Sequence, residues 1–204
     1  APGEHVHTLD AKRRALHPED VVITAVTIRE GAVDRAIELK KRGVGPDRVL
    51  MMVSTEEEHH FANSGTTLPD YWAEAERCIK KCTDAGIMMC GTVSTIWGSP
   101  IAGATDMKDA VEFTKRWLEI GAHDIEHADH DGSASAPDVY RYFSMILDAI
   151  PNTDLHLAHF HETKRVASAS VLAALQAGIT QFEAPIGGRG GPPANFLDDT
   201  PVPG

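Results

Sequence analysis

The spacing of apolar residues along the chain switches between two periods. Residues 21–28, Val-Val-Ile-Thr-Ala-Val-Thr-Ile, are β-branched and apolar on both faces, the pattern of a buried parallel strand rather than a half-exposed one. Residues 31–42 follow with helical spacing: Ala32, Val33, Ala36, Ile37 and Leu39 form the apolar side and Gly43 stops the run. The same cycle predicts strands over 48–54, 87–95, 123–128, 156–161 and 179–186. Helices are predicted over 68–85, 105–120, 137–150 and 166–177, the third of these with Pro137 in its first turn, where proline is favoured. Residues 1–20 are polar, with one short helical stretch at 11–16, and form an N-terminal segment ahead of a domain covering 21–204.

Strand–helix units of about 30 residues with glycine at the helix exits imply an α/β fold with a parallel sheet. No Gly-x-Gly-x-x-Gly follows the first strand, so a dinucleotide-binding open sheet has no support. Polar clusters follow at least five of the six strands, as expected for loops converging on the mouth of a (β/α)8 TIM barrel. Six strands do not close such a barrel, and about two are missing from this reading.

Composition narrows the function classes. With 42% hydrophobic and 24% charged residues the chain of 204 residues reads as globular. A formal charge of −11 argues against a nucleic-acid surface or an anionic membrane as partner, since both call for a basic face. No apolar run approaches the ~20 residues of a membrane helix, and no charged-then-apolar leader opens the chain, so a cytoplasmic setting is expected. Cys78, Cys82 and Cys90 form an odd set and fit reduced, partly buried thiols better than a disulfide framework.

Candidate chemistry gathers at the strand ends. In His156-Leu-Ala-His159-Phe-His161, strand alternation puts His159 and His161 on one face and Phe160 on the other. Two imidazoles so placed can hold one metal, though a bare His-x-His also serves packing. In Asp129-His-Asp-Gly132 the carboxylate of Asp129 is open to a loop-capping role as well as a chemical one, and alternation gives His127 and Asp129 a shared face, with His130 already in the loop. Glu56-Glu-Glu-His-His60 reads as a solvated loop, because consecutive positions fan outward. Glu183 alternates with Phe182 and points either into the barrel mouth or into a buried ion pair. Arg189, in Gly187-Gly-Arg-Gly-Gly191, is an exposed loop charge or an anchor for a carboxylate, phosphate or CoA group. Trp72 and Trp117, at helical spacing, read as core or interface.

Four motifs occur in order, each at a predicted strand end: Gly91-Thr-Val-Ser-Thr-Ile-Trp-Gly-Ser-Pro100, Asp129-His-Asp-Gly132, His159-Phe-His161-Glu-Thr163 and Gly188-Arg-Gly-Gly-Pro-Pro-Ala-Asn195. Together they resemble the 3-hydroxy-3-methylglutaryl-CoA lyase branch of the metal-dependent TIM-barrel lyases and synthases. The resemblance implies that His159 and His161 are metal ligands, that Asn195 falls where the synthases place a ligand asparagine, and that Asp129 lines the substrate pocket. It makes the visible strands the third to the eighth. The family's first strand, which carries an Asp-Arg pair, is not among them, so the chain is expected to be either a piece of a longer protein or a form that lost those parts. The sequence also departs from the pattern: Gly190-Gly191-Pro192-Pro193 stands where the lyases have a reactive cysteine, and proline has no proton to give.

The resemblance implies a divalent ion, Mg²⁺ or Mn²⁺ first, with Zn²⁺ or Fe²⁺ also allowed by such ligands. It implies retro-aldol or retro-Claisen cleavage of a hydroxy acid or hydroxyacyl-CoA; by their positions Asp129, His127 and His130 are the candidate proton carriers, and Arg189 and Glu183 the candidate substrate contacts. A condensing or carboxyl-transfer enzyme of the same superfamily and a non-catalytic barrel remnant are the alternatives. The expected partners are a small-molecule substrate and further copies of the chain, since a barrel short of strands exposes an apolar edge.

Overall fold

The computed structural model describes residues 21–184, together with the backbone of 196–197 and 200–201. The predicted helix at 11–16 and the residues Arg189, Pro192 and Asn195 lie outside the described residues.

Six strands form one parallel sheet whose spatial order is the chain order: β1 (Thr24–Val26), β2 (Arg48–Ser54), β3 (Met88–Ser94), β4 (Asp124–Asp129), β5 (His156–Phe160) and β6 (Gln181–Glu183). Right-handed crossovers that never reverse the strand order place every connecting helix on one face, leaving the other free to become a barrel interior. The arc curls enough that Val26 of β1 and Glu183 of β6 line one cavity. This is a partial (β/α)8 barrel rather than an open doubly wound sheet. A separate two-residue antiparallel pair, β7 (Phe196–Leu197) with β8 (Thr200–Pro201), follows.

The helices are α1 (Glu30–Lys41), α2 (Glu57–Ser64), α3 (Leu68–Asp84), α4 (Met107–Glu119), α5 (Ala136–Ala149) and α6 (Ala167–Ala177). Their starts are written in the sequence. Thr67, Asp106 and Ser135 cap α3, α4 and α5, each side chain accepting a backbone N–H of the first turn, from Asp70, Lys108 and Asp138 respectively. The core lies between these helices and the outer faces of the strands, where Val49, Met51, Val53, Tyr71, Trp117, Phe143 and Ile146 are fully buried. Gly91 makes one close approach possible: a Cβ there would come within 2.4 Å of the Trp117 ring, so the indole lies flat against β3 only because position 91 is glycine.

Three expectations are corrected. Residues 21–28 contain only a three-residue strand, and Val22 and Val26 are 54% and 65% exposed. The strand is an edge, paired with β2 alone among the described residues, so burial on both faces does not follow from its composition. The run 56–60 is not a solvated loop. Glu56 caps α2 by accepting from the N–H of Glu58 and of His59, which turns His59 and His60 into the molecule, where they are 0% and 1% exposed. Of the strand expected over 179–186, the described residues form Gln181–Glu183, and 185–186 lie outside the described residues.

Candidate active site

Parallel strands alternate their side chains between the helix layer and the interior, and the interior positions set the site. Leu50, Met52 and Ser54 of β2, Glu126 and Ala128 of β4, His130 just beyond it, and His159 and His161 at the end of β5 all face one cavity of about 270 Å³. The cavity lies toward the C-terminal ends of the strands, where barrels and open α/β sheets carry their chemistry. Two walls differ: Val26, Ile28, Leu50 and Met52 are apolar, whereas β4, β5 and β6 present imidazoles and carboxylates.

His159 and His161 share a face as alternation requires, with ring centroids 4.8 Å apart. Burial, then the neighbouring His159, lowers the pKa of His161 to about 4, so its ring is neutral at pH 7 with a lone pair to offer. His159 Nδ1 lies 3.2 Å from Glu126 Oε1. Burial opposes the charged imidazole, but Glu126 outweighs it and raises the pKa of His159. The contact is nevertheless not aligned as a hydrogen bond, and Nδ1 is a buried nitrogen without an aligned partner.

Glu126 is 4% exposed, and its Oε2 accepts from the Thr92 hydroxyl at 2.6 Å. Burial alone would raise its pKa, but His159 and Thr92 more than offset that and hold it below the ordinary value. Glu183 responds the other way. Burial and the adjacent Glu126 raise its carboxyl to about 7, as expected when two carboxylates lie close enough that only one ionises readily. Glu183 thus points into the cavity, one of the two placements its alternation left open.

His127 and Asp129 do share a face, but it is the one turned away from the cavity. His127 is fully buried among helices: Nδ1 is 2.8 Å from the Tyr142 hydroxyl and Nε2 3.0 Å from His156 Nδ1. His156 Nε2 in turn donates to the Ile150 carbonyl at 3.0 Å. That last bond fixes His156 Nδ1 as an acceptor, so His127 donates from Nε2 and accepts from Tyr142, and all three groups are satisfied while neutral. His127 is therefore corrected from proton carrier to structural residue, because neither of its nitrogens is available to a substrate.

The carboxylate of Asp129 accepts from the backbone N–H of Ser133 at 3.1 Å and of Ala134 at 3.3 Å, which organises the loop after β4. Burial and the nearby Asp131 nevertheless raise its pKa to about 7. His130 lines the cavity with its ring centroid 4.6 Å from that of His59, and burial lowers its pKa to about 3. Just past β3, Thr95 adopts φ of 58°, uncommon for a β-branched residue, and its hydroxyl and carbonyl both bond the Thr55 hydroxyl. Strain of this kind gathers at functional sites.

Glu126 and Ser54 carry no expectation from the sequence, and the run holding His59 and His60 reads there as a solvated loop. Ser54 Oγ is 2.8 Å from His59 Nδ1, and Ser64 Oγ is 3.1 Å from His60 Nε2. For Glu126 a signal existed: it is an ionisable residue within a short strand, in the opposite phase to His127. For the histidines the signal was Glu56 as an N-cap, which converts a charged run into a helix with one buried side.

A family model described as HMGL-like matches residues 4–196. Hydroxymethylglutaryl-CoA lyase of Pseudomonas mevalonii is 24% identical over 180 residues, covering 85% of this chain and 60% of that protein. (R)-citramalyl-CoA lyase of Chloroflexus aurantiacus is 28% identical over 149 residues, covering 73% and 47% respectively. Among solved structures, an HMG-CoA lyase from Acinetobacter baumannii in complex with coenzyme A and 3-methylmalate superimposes with a TM-score of 0.80 at 26% identity, over 90% of this chain and 57% of that one. The chain spans about 60% or less of the length of these relatives.

Proposed function

The chain belongs to the HMGL-like family, and from that premise we propose that it is a divalent-metal-dependent carbon–carbon lyase acting on a hydroxyacyl-CoA thioester or a related hydroxy acid. The observation that carries this reading is the convergence of His159, His161, Glu126 and Glu183 on one cavity at the C-terminal ends of the strands. The donor set fits a metal: His161 is neutral, His159 Nδ1 is buried without an aligned hydrogen bond, and carboxylate oxygens stand beside them. His159 and His161 would hold the ion, with Asn195 the further donor suggested by sequence. Nitrogen with carboxylate oxygen suits Mg²⁺ or Mn²⁺ and also admits Zn²⁺. When bound, the ion would supply charge stabilisation for the oxygen that turns negative as the carbon–carbon bond breaks.

The protein's own groups account for the rest. Cleavage requires loss of the substrate's hydroxyl proton, collapse to a carbonyl with departure of the carbon–carbon electron pair, and protonation of the departing enolate. Asp129 faces away from the cavity and holds the loop after β4, so of the sequence's candidates His130, which faces the cavity, is the proposed proton acceptor. Its neutral ring also orients the substrate oxygen. The apolar wall of Val26, Ile28, Leu50 and Met52 takes the acyl chain and limits water around the enolate. Arg189 is proposed to hold an anionic group of the substrate.

A screen of hydroxyacyl-CoA thioesters, 3-hydroxy-3-methylglutaryl-CoA and citramalyl-CoA included, tests the reading with Mn²⁺ present and the released short acyl-CoA or oxo acid identified. Cleavage of at least one thioester is expected. Failure to cleave any of them by protein with metal bound would sink the lyase reading and favour a ligand-binding barrel.

A further inference from the structure

The inner face of β4, β5 and β6 holds more ligand chemistry than a two-histidine pair uses. His159 is directly paired with Glu183 in the β5–β6 register, and on its other side with Ala128, two residues along β4 from Glu126. One donor atom from each of Glu126, His159 and Glu183 lies within 4.8 Å of the others. Two neighbouring carboxyl groups on a largely buried face do not both ionise readily, and a divalent ion held between them would let both do so. Arg48, which acts on Glu183 from a distance, is itself paired with Asp124 at the base of the sheet. Thr92 satisfies only one oxygen of Glu126.

The decisive geometry is between His159 and Glu126. Were Glu126 simply an outer carboxylate orienting the imidazole, the Nδ1–H bond would point along the 3.2 Å line to Oε1. Among the described residues Nδ1 has no aligned partner, and its closest oxygen contact is this carboxylate. With Glu183 as the third member, all three side chains offer a donor atom close enough to reach one ion.

We propose that Glu126 and Glu183 join His159 as direct ligands of a divalent cation, in a site that three adjacent strands build from their own side chains. The proposal rests on the metal-dependent reading above and extends its ligand set beyond the histidine pair. Two carboxylates and one imidazole form a hard, doubly negative donor set, which a divalent ion neutralises and which favours Mn²⁺ or Mg²⁺ over thiophilic metals.

The test titrates Mn²⁺ alone into the full chain and reads the free ion by electron paramagnetic resonance, with circular dichroism as the control for folding. Wild type is expected to bind, and E126Q and E183Q each to weaken binding by about 10–100-fold or more, as H159Q does. Glu126→Asp keeps a charge and is expected to bind more tightly than E126Q. Should E126Q fail to fold, the half-buried position of Glu183 leaves E183Q to carry the test. Wild-type affinity in E126Q and E183Q alongside weakened binding in H159Q and H161Q would overturn the carboxylate ligands and leave the lyase reading standing. A wild-type protein that binds no divalent cation would overturn both.

Discussion

Strands β4 and β5 carry histidines on both faces, and the two sets have opposite fates. On the helix side, His127 and His156 are locked into a chain from the Tyr142 hydroxyl to the Ile150 carbonyl, with every nitrogen used. On the cavity side, His159 and His161 stand beside Glu126 and Glu183, and a buried nitrogen has no aligned partner. His159 lies three residues from His156 in the same strand. The difference teaches that strand phase decides whether an imidazole is structural or chemical. A satisfied polar network rigidifies a core, whereas unsatisfied buried groups persist where a ligand or reaction uses them.

If the comparison holds, substitutions on the two faces separate stability from activity. The largest effect is expected on the cavity side: His159→Ala should lower the cleavage rate by about 10²–10⁴-fold or more, while the urea midpoint moves little. On the helix side, Trp117→Ala should cost about 3–5 kcal/mol in urea unfolding, since it empties a fully buried site packed on Gly91 and Trp72. His127→Phe, which leaves His156 Nδ1 without a partner and removes one from the Tyr142 hydroxyl, should cost about 2–4 kcal/mol. If His127→Phe instead removed cleavage in a protein of unchanged stability, the assignment of faces would be reversed.

Acidity sharpens the same contrast. Burial lowers the pKa values of His127 and His156 on one side and of His60, His130 and His161 on the other. Below about pH 6.5 the unfolded chain takes up protons that these native imidazoles refuse, so their contribution to stability is present above that pH and lost as pH falls. Asp129 and Glu183, raised to about 7, act in the opposite direction, because the native state holds their protons down to the unfolded carboxyl range. Five groups outweigh these two and the raised His159, and the metal-free protein should lose stability between about pH 6.5 and 4.5. The His127→Phe profile should be shallower by up to ~1.4 kcal/mol per pH unit, one proton's worth. The smallest effect is expected at the exposed pair of Lys80 and Asp84, where Lys80→Ala should change stability by less than ~1 kcal/mol.

The strand–helix cycle was legible because it is written in periodicity and glycine stops, and the positions of β2 to β5 and of α1 and α3 to α6 follow from it. Two failures have physical causes. The composition of 21–28 reported what the segment would like to bury, not whether neighbours exist to bury it, and Val26 is left exposed. The run 56–60 reads as solvated if its consecutive positions fan outward from a loop, yet a single N-cap by Glu56 gives it a helical period and a buried side. At the site, alternation correctly joined His159 with His161 and His127 with Asp129. Periodicity defines which residues share a face but not which face is inside, and the absolute phase of β4 is set by packing of His127 against Tyr142 and Phe143 on α5. That missing phase hid Glu126.

The central claim, that the cavity face of β4–β6 binds a metal and carries out carbon–carbon cleavage, is tested most directly by a restoration experiment. Protein stripped by chelation is assayed for release of short acyl-CoA from the thioester it cleaves best, before and after addition of Mn²⁺. Negligible cleavage by the stripped protein, and recovery on Mn²⁺ addition in wild type but not in His159→Ala, is the predicted result. Equal cleavage with and without metal, or full recovery in His159→Ala, would contradict the account.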